Sequence, residues 1–259
     1  REVPVVYIKW DMNRSISDAG SEYLPSDRQG EIWHRHVLGV YEIQERITKE
    51  FPYVLIENCS SGGARFDAGM LYYSPQIWCS DDMDPVERLS IQEGTAMLYP
   101  VSAIGSHVAK SPNDISGREV SFESRAVAAM FGTFGYELDV TKLSEDELKQ
   151  IPKQIARYKS IRRLILDGEY YRIASYRENK EYDAYMIVSE DKKEAFMIYM
   201  QVLSKAFSRS RLLRLEGLDS DMKYDVNGKV YDGDVLMNAG LLIPGSKDFE
   251  AQFIKITAV

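Results

Sequence analysis

Residues 3–11 read VPVVYIKWD. A continuous apolar run of this length is the pattern of a strand buried on both faces, as in a parallel sheet. It ends in polar residues: Lys9, Asp11, Asn13 and Arg14. A helical pattern follows in EIWHRHVLGVYEIQERITKEF (31–51), with Val37, Val40, Tyr41, Ile47 and Phe51 at helical spacing. YVLIENCSS (53–61) is a second strand that again runs into polar residues. Strand, helix, strand in this order predicts parallel strands joined by crossovers, hence an α/β fold.

The alternation continues to about residue 166. QIWCSDD (76–82) is a third strand, and DPVERLSIQEGTAML (84–98) starts a helix with Asp84 as N-cap and Pro85 at the first helical position. VSAIGSHV (101–108) and AAMFGTFGYEL (128–138) are two more short runs. LSEDELKQIPKQIARYKSIRRLIL (143–166) is a long helix with a capping box, Ser144 to Glu147, and an apolar stripe at Leu148, Ile151, Ile155, Tyr158, Ile161 and Ile165. After Asp167-Gly168 the pattern changes to strands with turn signals and almost no helix. VNGKV (226–230) sets Asn-Gly between β-branched flanks, a strong hairpin signal. The expected domains are therefore 1–166, strand–helix alternation, and 167–259, a small antiparallel β-sandwich.

The formal charge of −8 argues against a nucleic-acid or anionic-membrane partner, which would require clustered Lys and Arg. No apolar run approaches the length of a membrane span. Only two cysteines occur, Cys59 and Cys79, which is no disulfide framework; it fits a reducing compartment, and a cytoplasmic location is expected. The first residues read as the middle of a domain, so the chain is expected to be part of a longer one.

Five strands alternating with helices fit either an open doubly wound sheet or part of a (β/α)8 TIM barrel. SSGGAR (60–65) has the wrong spacing for a dinucleotide turn, and no phosphate-binding loop pattern occurs. In a barrel, chemistry sits where strands end at the C-terminal face. Asp11, Cys59, Asp81 and Asp82 all fall at such ends. Two carboxylates on next-but-one strands can flank one sugar, one attacking the anomeric carbon and the other protonating the leaving oxygen. Lys9 lies two residues before Asp11, on the same side of the strand.

YIKWDMNR (7–14), ENCSSGGARFDAGML (57–71), IWCSDDMDPVERLSIQEGTAMLYP (77–100) and AMFGTFGYELDVTKLSEDE (129–147) resemble the second half of family 36 glycoside hydrolases, the melibiase-type bacterial α-galactosidases. The resemblance runs to the last strand, FIKITAV (253–259). It implies a retaining enzyme that removes terminal α-linked galactose from melibiose- or raffinose-type sugars through a covalent galactosyl-enzyme intermediate. Carried onto this chain, the nucleophile falls on Asp11 and the acid/base on Asp81. Sugar contacts fall on Lys9, Asn13, Cys59 and Gly62. Asp82 stands where the family often has Asn, and Ala64 where it usually has Gly. The family fold places residues 1–166 as barrel strands four to eight, so the chain alone is expected to be inactive. The resemblance implies no cofactor and no metal, an α-galactoside substrate and a tetrameric parent. Alternatives are an α-N-acetylgalactosaminidase or galactosyltransferase on the same scaffold, or a non-catalytic carbohydrate-binding fragment.

His34 and His36 are two apart and face different ways on a helix, against a zinc pair. His107 reads as a structural hydrogen-bonding residue. Trp10 and Trp78 are expected to point away from the site by strand alternation, and Arg65 with Asp67 to form a local salt bridge.

Overall fold

Strand β1, Tyr7–Asp11, opens the first of two units in the computed structural model of this chain, which describes residues 3–13, 16–59, 66–207 and 210–259. That unit comprises Arg1–Asp81 with Ala103–Gly105. A 3-10 turn, Ser26–Glu31, leads into helix α1, Ile32–Glu50, and then strand β2, Leu55–Cys59. Helix α2, Ala68–Tyr73, precedes strand β3, Gln76–Trp78. The three strands are parallel in the order β1-β2-β3, and a further parallel bridge joins Ile77 to Ile104.

The opening strand is less buried than its composition predicts. Val3, Val5, Val6 and Tyr7 are exposed. The reason is position: among the described residues β1 pairs with β2 alone, so it forms the edge of the sheet. Helix α1 departs from its predicted stripe as well. Val40 is buried, but Val37 is exposed, and the deepest residue of the helix is Gln44. Its amide donates to Asn58 Oδ1 (3.2 Å) and its carbonyl accepts from Ser74 Oγ (2.9 Å), so a buried polar group is satisfied from both sides. Helix α2 is not legible from periodicity, being six residues long. Its start is fixed by Asp67, whose Oδ1 accepts from Met70 N (2.9 Å) and from Tyr41 Oη (2.7 Å). Asp67 is thus an N-cap; Arg65, its expected partner, lies outside the described residues.

The second unit comprises Asp82–Ser102 with Ser106–Val259. Helix α3, Pro85–Ala96, has Asp84 as N-cap and Pro85 in its first turn, as expected. Strand β4, Gly105–Ala109, pairs with strand β5, Thr133–Glu137. Between them lies helix α4, Phe122–Ala129, in a stretch whose end was expected to be extended; Ser121 caps it by accepting from Ser124 N. Helix α5, Glu145–Asp167, carries the capping box of Ser144 and Glu147. Glu147 also meets the buried Arg125 of α4 (3.1 Å), and its carboxyl is held below the usual carboxylate range, chiefly by the Ser144 backbone N–H.

The strands after α5 are antiparallel. They are β6 (Glu169–Ala174), β7 (Tyr182–Val188), β8 (Glu194–Gln201), β9 (Ser210–Leu213), β10 (Lys223–Val226), β11 (Lys229–Asp232), β12 (Leu241–Pro244) and β13 (Glu250–Ala258), with short helices α6 (Tyr176–Asn179) and α7 (Gly233–Asn238) between them. They form a six-stranded sheet, β11-β10-β13-β8-β7-β6, and the pair β12-β9. Met186, Met197, Tyr199, Ile254 and Ile256 from the large sheet share one core with Leu213, Leu241 and Ile243 from the small one. The Asn227-Gly228 hairpin joins β10 to β11 with both residues at positive φ, the backbone that a two-residue turn requires. No helix among the described residues is long and apolar enough to cross a membrane.

A buried acidic junction ties α3 to the large sheet. Glu93 accepts from Ser175 Oγ (2.6 Å) and pairs with Arg172 (3.0 Å), and Arg172 also meets Glu178. Asp183 accepts from Tyr176 N (3.0 Å). Burial raises its carboxyl to about 7, with the neighbouring Glu93 charge adding to the shift and Arg172 opposing it; Tyr170 and Tyr185 also adjoin. A carboxyl raised in the folded state favours folding most below its unfolded pKa of about 4, and that advantage is lost as pH rises to about 7. Asp183→Asn should therefore flatten the dependence of the thermal unfolding midpoint on pH between about 4 and 7, measured by circular dichroism.

Candidate active site

The parallel register stacks two rungs on one face of the first sheet. Lys9, Glu57 and Gln76 are Cα partners across β1, β2 and β3, and two residues later Asp11, Cys59 and Trp78 are partners in the same way. Side chains two apart on a strand share a face, so six side chains form one patch at the C-terminal ends of three parallel strands. The intervening rung, Trp10, Asn58 and Ile77, faces the other way, where Asn58 meets Gln44 of α1.

Asp11 is exposed at the end of β1, and Cys59 is buried beside it. Burial raises the Cys59 thiol to about 11; the Lys9 ammonium opposes that shift, while a hydrogen bond to Asp11 and the charges of Asp11 and Asp81 reinforce it. Three of the expected residues, Lys9, Asp11 and Asp81, therefore adjoin a fourth, Cys59. The thiol is a neutral donor beneath two acidic groups, not a nucleophile. Asn13 is exposed two residues past β1, and no contact among the described residues ties it to this group. Gly62 lies outside the described residues. Both cysteines are free of disulfides.

Trp78 corrects the expectation from alternation. It is buried in the Asp11 rung, its indole N–H donates to Asp81 Oδ1 (2.9 Å), and Lys9 Nζ lies 4.6 Å from its ring centroid. The reason is that β3 ends at Trp78, so strand parity cannot be counted onward to Asp81. Trp10 keeps its expected orientation. Gly105 makes room for the indole: a Cβ there would stand 3.1 Å from the Trp78 ring. Asp82 serves the backbone, its Oδ1 accepting from Asp84 N (2.9 Å). His107 meets Glu137 at 3.0 Å, consistent with a structural hydrogen-bonding role.

Glu57 was not anticipated. Its side chain is 1% exposed, and one oxygen accepts from both Tyr7 Oη and Gln76 Nε2. The Tyr7 hydroxyl is pushed well above its usual pKa, by burial first and then by Glu57. The alternating carboxyl in LIENC (55–59) was the available signal, since a charged residue inside a buried strand calls for a partner on the adjacent strand.

A family model described as Melibiase matches residues 1–168, and one described as the glycosyl hydrolase family 36 C-terminal domain matches residues 182–256. Alpha-galactosidase AgaA of Geobacillus stearothermophilus is 48% identical over 258 residues, covering 99% of this chain and 35% of the relative. Alpha-galactosidase Mel36A of Lactobacillus acidophilus is 43% identical over 256 residues, covering 98% of this chain and 35% of the relative. The chain thus spans about a third of the length of these curated relatives. Two crystal structures of AgaA variants also match. One carries an aspartate-to-asparagine substitution and holds raffinose; it has a TM-score of 0.95 at 47% identity, covering 100% of this chain and 36% of that one. The other carries an aspartate-to-alanine substitution and holds stachyose, with a TM-score of 0.94 at 48% identity, covering 99% and 36%. The chain belongs to the Melibiase family, its C-terminal part matching the C-terminal domain of glycosyl hydrolase family 36.

Proposed function

We propose that this chain carries the catalytic carboxylates of a retaining α-galactosidase. One observation carries the reading: Asp11 ends β1 on the rung it shares with Cys59 and Trp78, and the Trp78 indole N–H holds Asp81 at that same rung (2.9 Å). The AgaA variants support it. Their two substituted aspartates are separated along that chain by the same number of residues as Asp11 and Asp81 here, and those variants hold raffinose and stachyose.

In the first step Asp11 attacks the anomeric carbon and forms a galactosyl ester. Asp81 gives a proton to the departing glycosidic oxygen. In the second, Asp81 takes a proton from water, the water oxygen bonds to the anomeric carbon, and Asp11 leaves as carboxylate. The Trp78 indole fixes the rotamer of Asp81, Lys9 and Asn13 hydrogen-bond the sugar hydroxyls, and Cys59, which donates to Asp11, is a further sugar contact together with Gly62. Residues 1–166 form strands four to eight of a (β/α)8 barrel and residues 167–259 the C-terminal β-domain. The remaining strands belong to a longer polypeptide, in keeping with the share of the relatives that the chain covers.

The chain alone should not hydrolyse p-nitrophenyl α-galactoside, whereas the longer polypeptide should. Turnover by the chain alone refutes the partial-barrel reading. In the longer polypeptide, Asp11→Ala should lower kcat by about three orders of magnitude or more. Asp11→Gly supplied with azide and an activated α-galactoside should yield β-galactosyl azide. The absence of that product, with the variant folded by circular dichroism, argues against Asp11 as nucleophile.

A further inference from the structure

We infer that Glu57 is a positioning residue that holds the Lys9 ammonium for the sugar; this rests on the α-galactosidase reading above. Glu57 is buried beneath the candidate active-site rung, between β1 and β3. Its two oxygens have different surroundings. Oε2 accepts from Tyr7 Oη and Gln76 Nε2, which fixes the plane of the carboxylate. Oε1 is buried with no hydrogen-bond donor among the described residues and lies 3.8 Å from Lys9 Nζ. A buried carboxylate oxygen lacking a donor is costly, and the only cation facing it among the described residues is Lys9.

Lys9 is suited to reciprocate. Its side chain is 37% exposed, and its ammonium lies between Glu57 and the Trp78 ring, with a share in the field at Cys59. An ammonium has three donors. One directed at Oε1 leaves two to reach outward to sugar hydroxyls. Closing the 3.8 Å gap to hydrogen-bond length on sugar binding would satisfy the orphan oxygen in the complex, so that Glu57 contributes to affinity through Lys9 without touching substrate.

Glu57→Gln isolates this role. The amide oxygen still accepts from Tyr7 and Gln76, while the position facing Lys9 becomes a donor. With the longer polypeptide and p-nitrophenyl α-galactoside, Glu57→Gln should raise KM about tenfold with kcat within about twofold. Lys9→Met should raise KM at least as much, and the double variant should match Lys9→Met alone. Glu57→Asp, a shorter carboxylate, should recover part of the affinity. An unchanged KM, or effects that multiply in the double variant, overturns the inference, because a purely structural Glu57 would act regardless of Lys9. Failure of the α-galactosidase reading is distinguishable: the wild-type polypeptide then shows no turnover, or Asp11→Ala leaves turnover intact. Should Glu57→Gln not fold, a crystal structure of the wild type with galactose decides. Lys9 Nζ within about 3 Å of Glu57 Oε1 and bonded to a sugar hydroxyl supports the inference, and an ammonium turned away from Glu57 overturns it.

Discussion

Parallel register is the constraint on which the candidate site depends. Three strands aligned so that Asp11, Cys59 and Trp78 fall on one rung place an acid, a neutral thiol and an indole side by side at their C-terminal ends. Slipping any strand by one residue would turn its side chain to the opposite face, where Asn58 meets the helix. The polar residues that interrupt otherwise apolar strands are therefore tolerated as a set. Lys9 faces Glu57 as a counter-charge, and Gln76 donates to Glu57 Oε2, so the buried carboxylate is answered from both adjacent strands.

The same logic of paired polar groups recurs away from the site. Gln44 is fully buried in α1, satisfied by Asn58 and Ser74. Glu93 is buried in α3, satisfied by Arg172 and Ser175. These junctions contribute geometry more than net stability, because desolvating a polar or charged group offsets much of what its partners return. The apolar core of the β-domain, running from Met186 and Tyr199 to Leu241 and Ile256, is where the larger burial lies.

Much of the architecture was legible where a segment was long or carried a cap. Asp84-Pro85 marked the start of α3, Ser144 and Glu147 that of α5, and Asn227-Gly228 the hairpin. Short helices escaped: α2 has six residues and α4 eight, too few turns for a hydrophobic period to stand out, and their N-caps, Asp67 and Ser121, were the sole local signs. At the site, Lys9, Asp11, Cys59 and Asp81 could be singled out because polar residues at the ends of apolar strands are conspicuous. Trp78 could not, since its orientation depended on where β3 stops.

The sequence by itself determined the alternation of strands and helices, the change to antiparallel strands after Asp167, and the acids at the strand ends, because period, caps and turn residues are local properties of the chain. Tertiary structure alone decided that Trp78 holds Asp81, that Glu57 lies beneath Lys9, and that the apolar opening strand is an exposed edge. Those facts follow from which strand lies beside which and in what register. Cross-strand pairing joins residues tens of positions apart, and no local pattern encodes it.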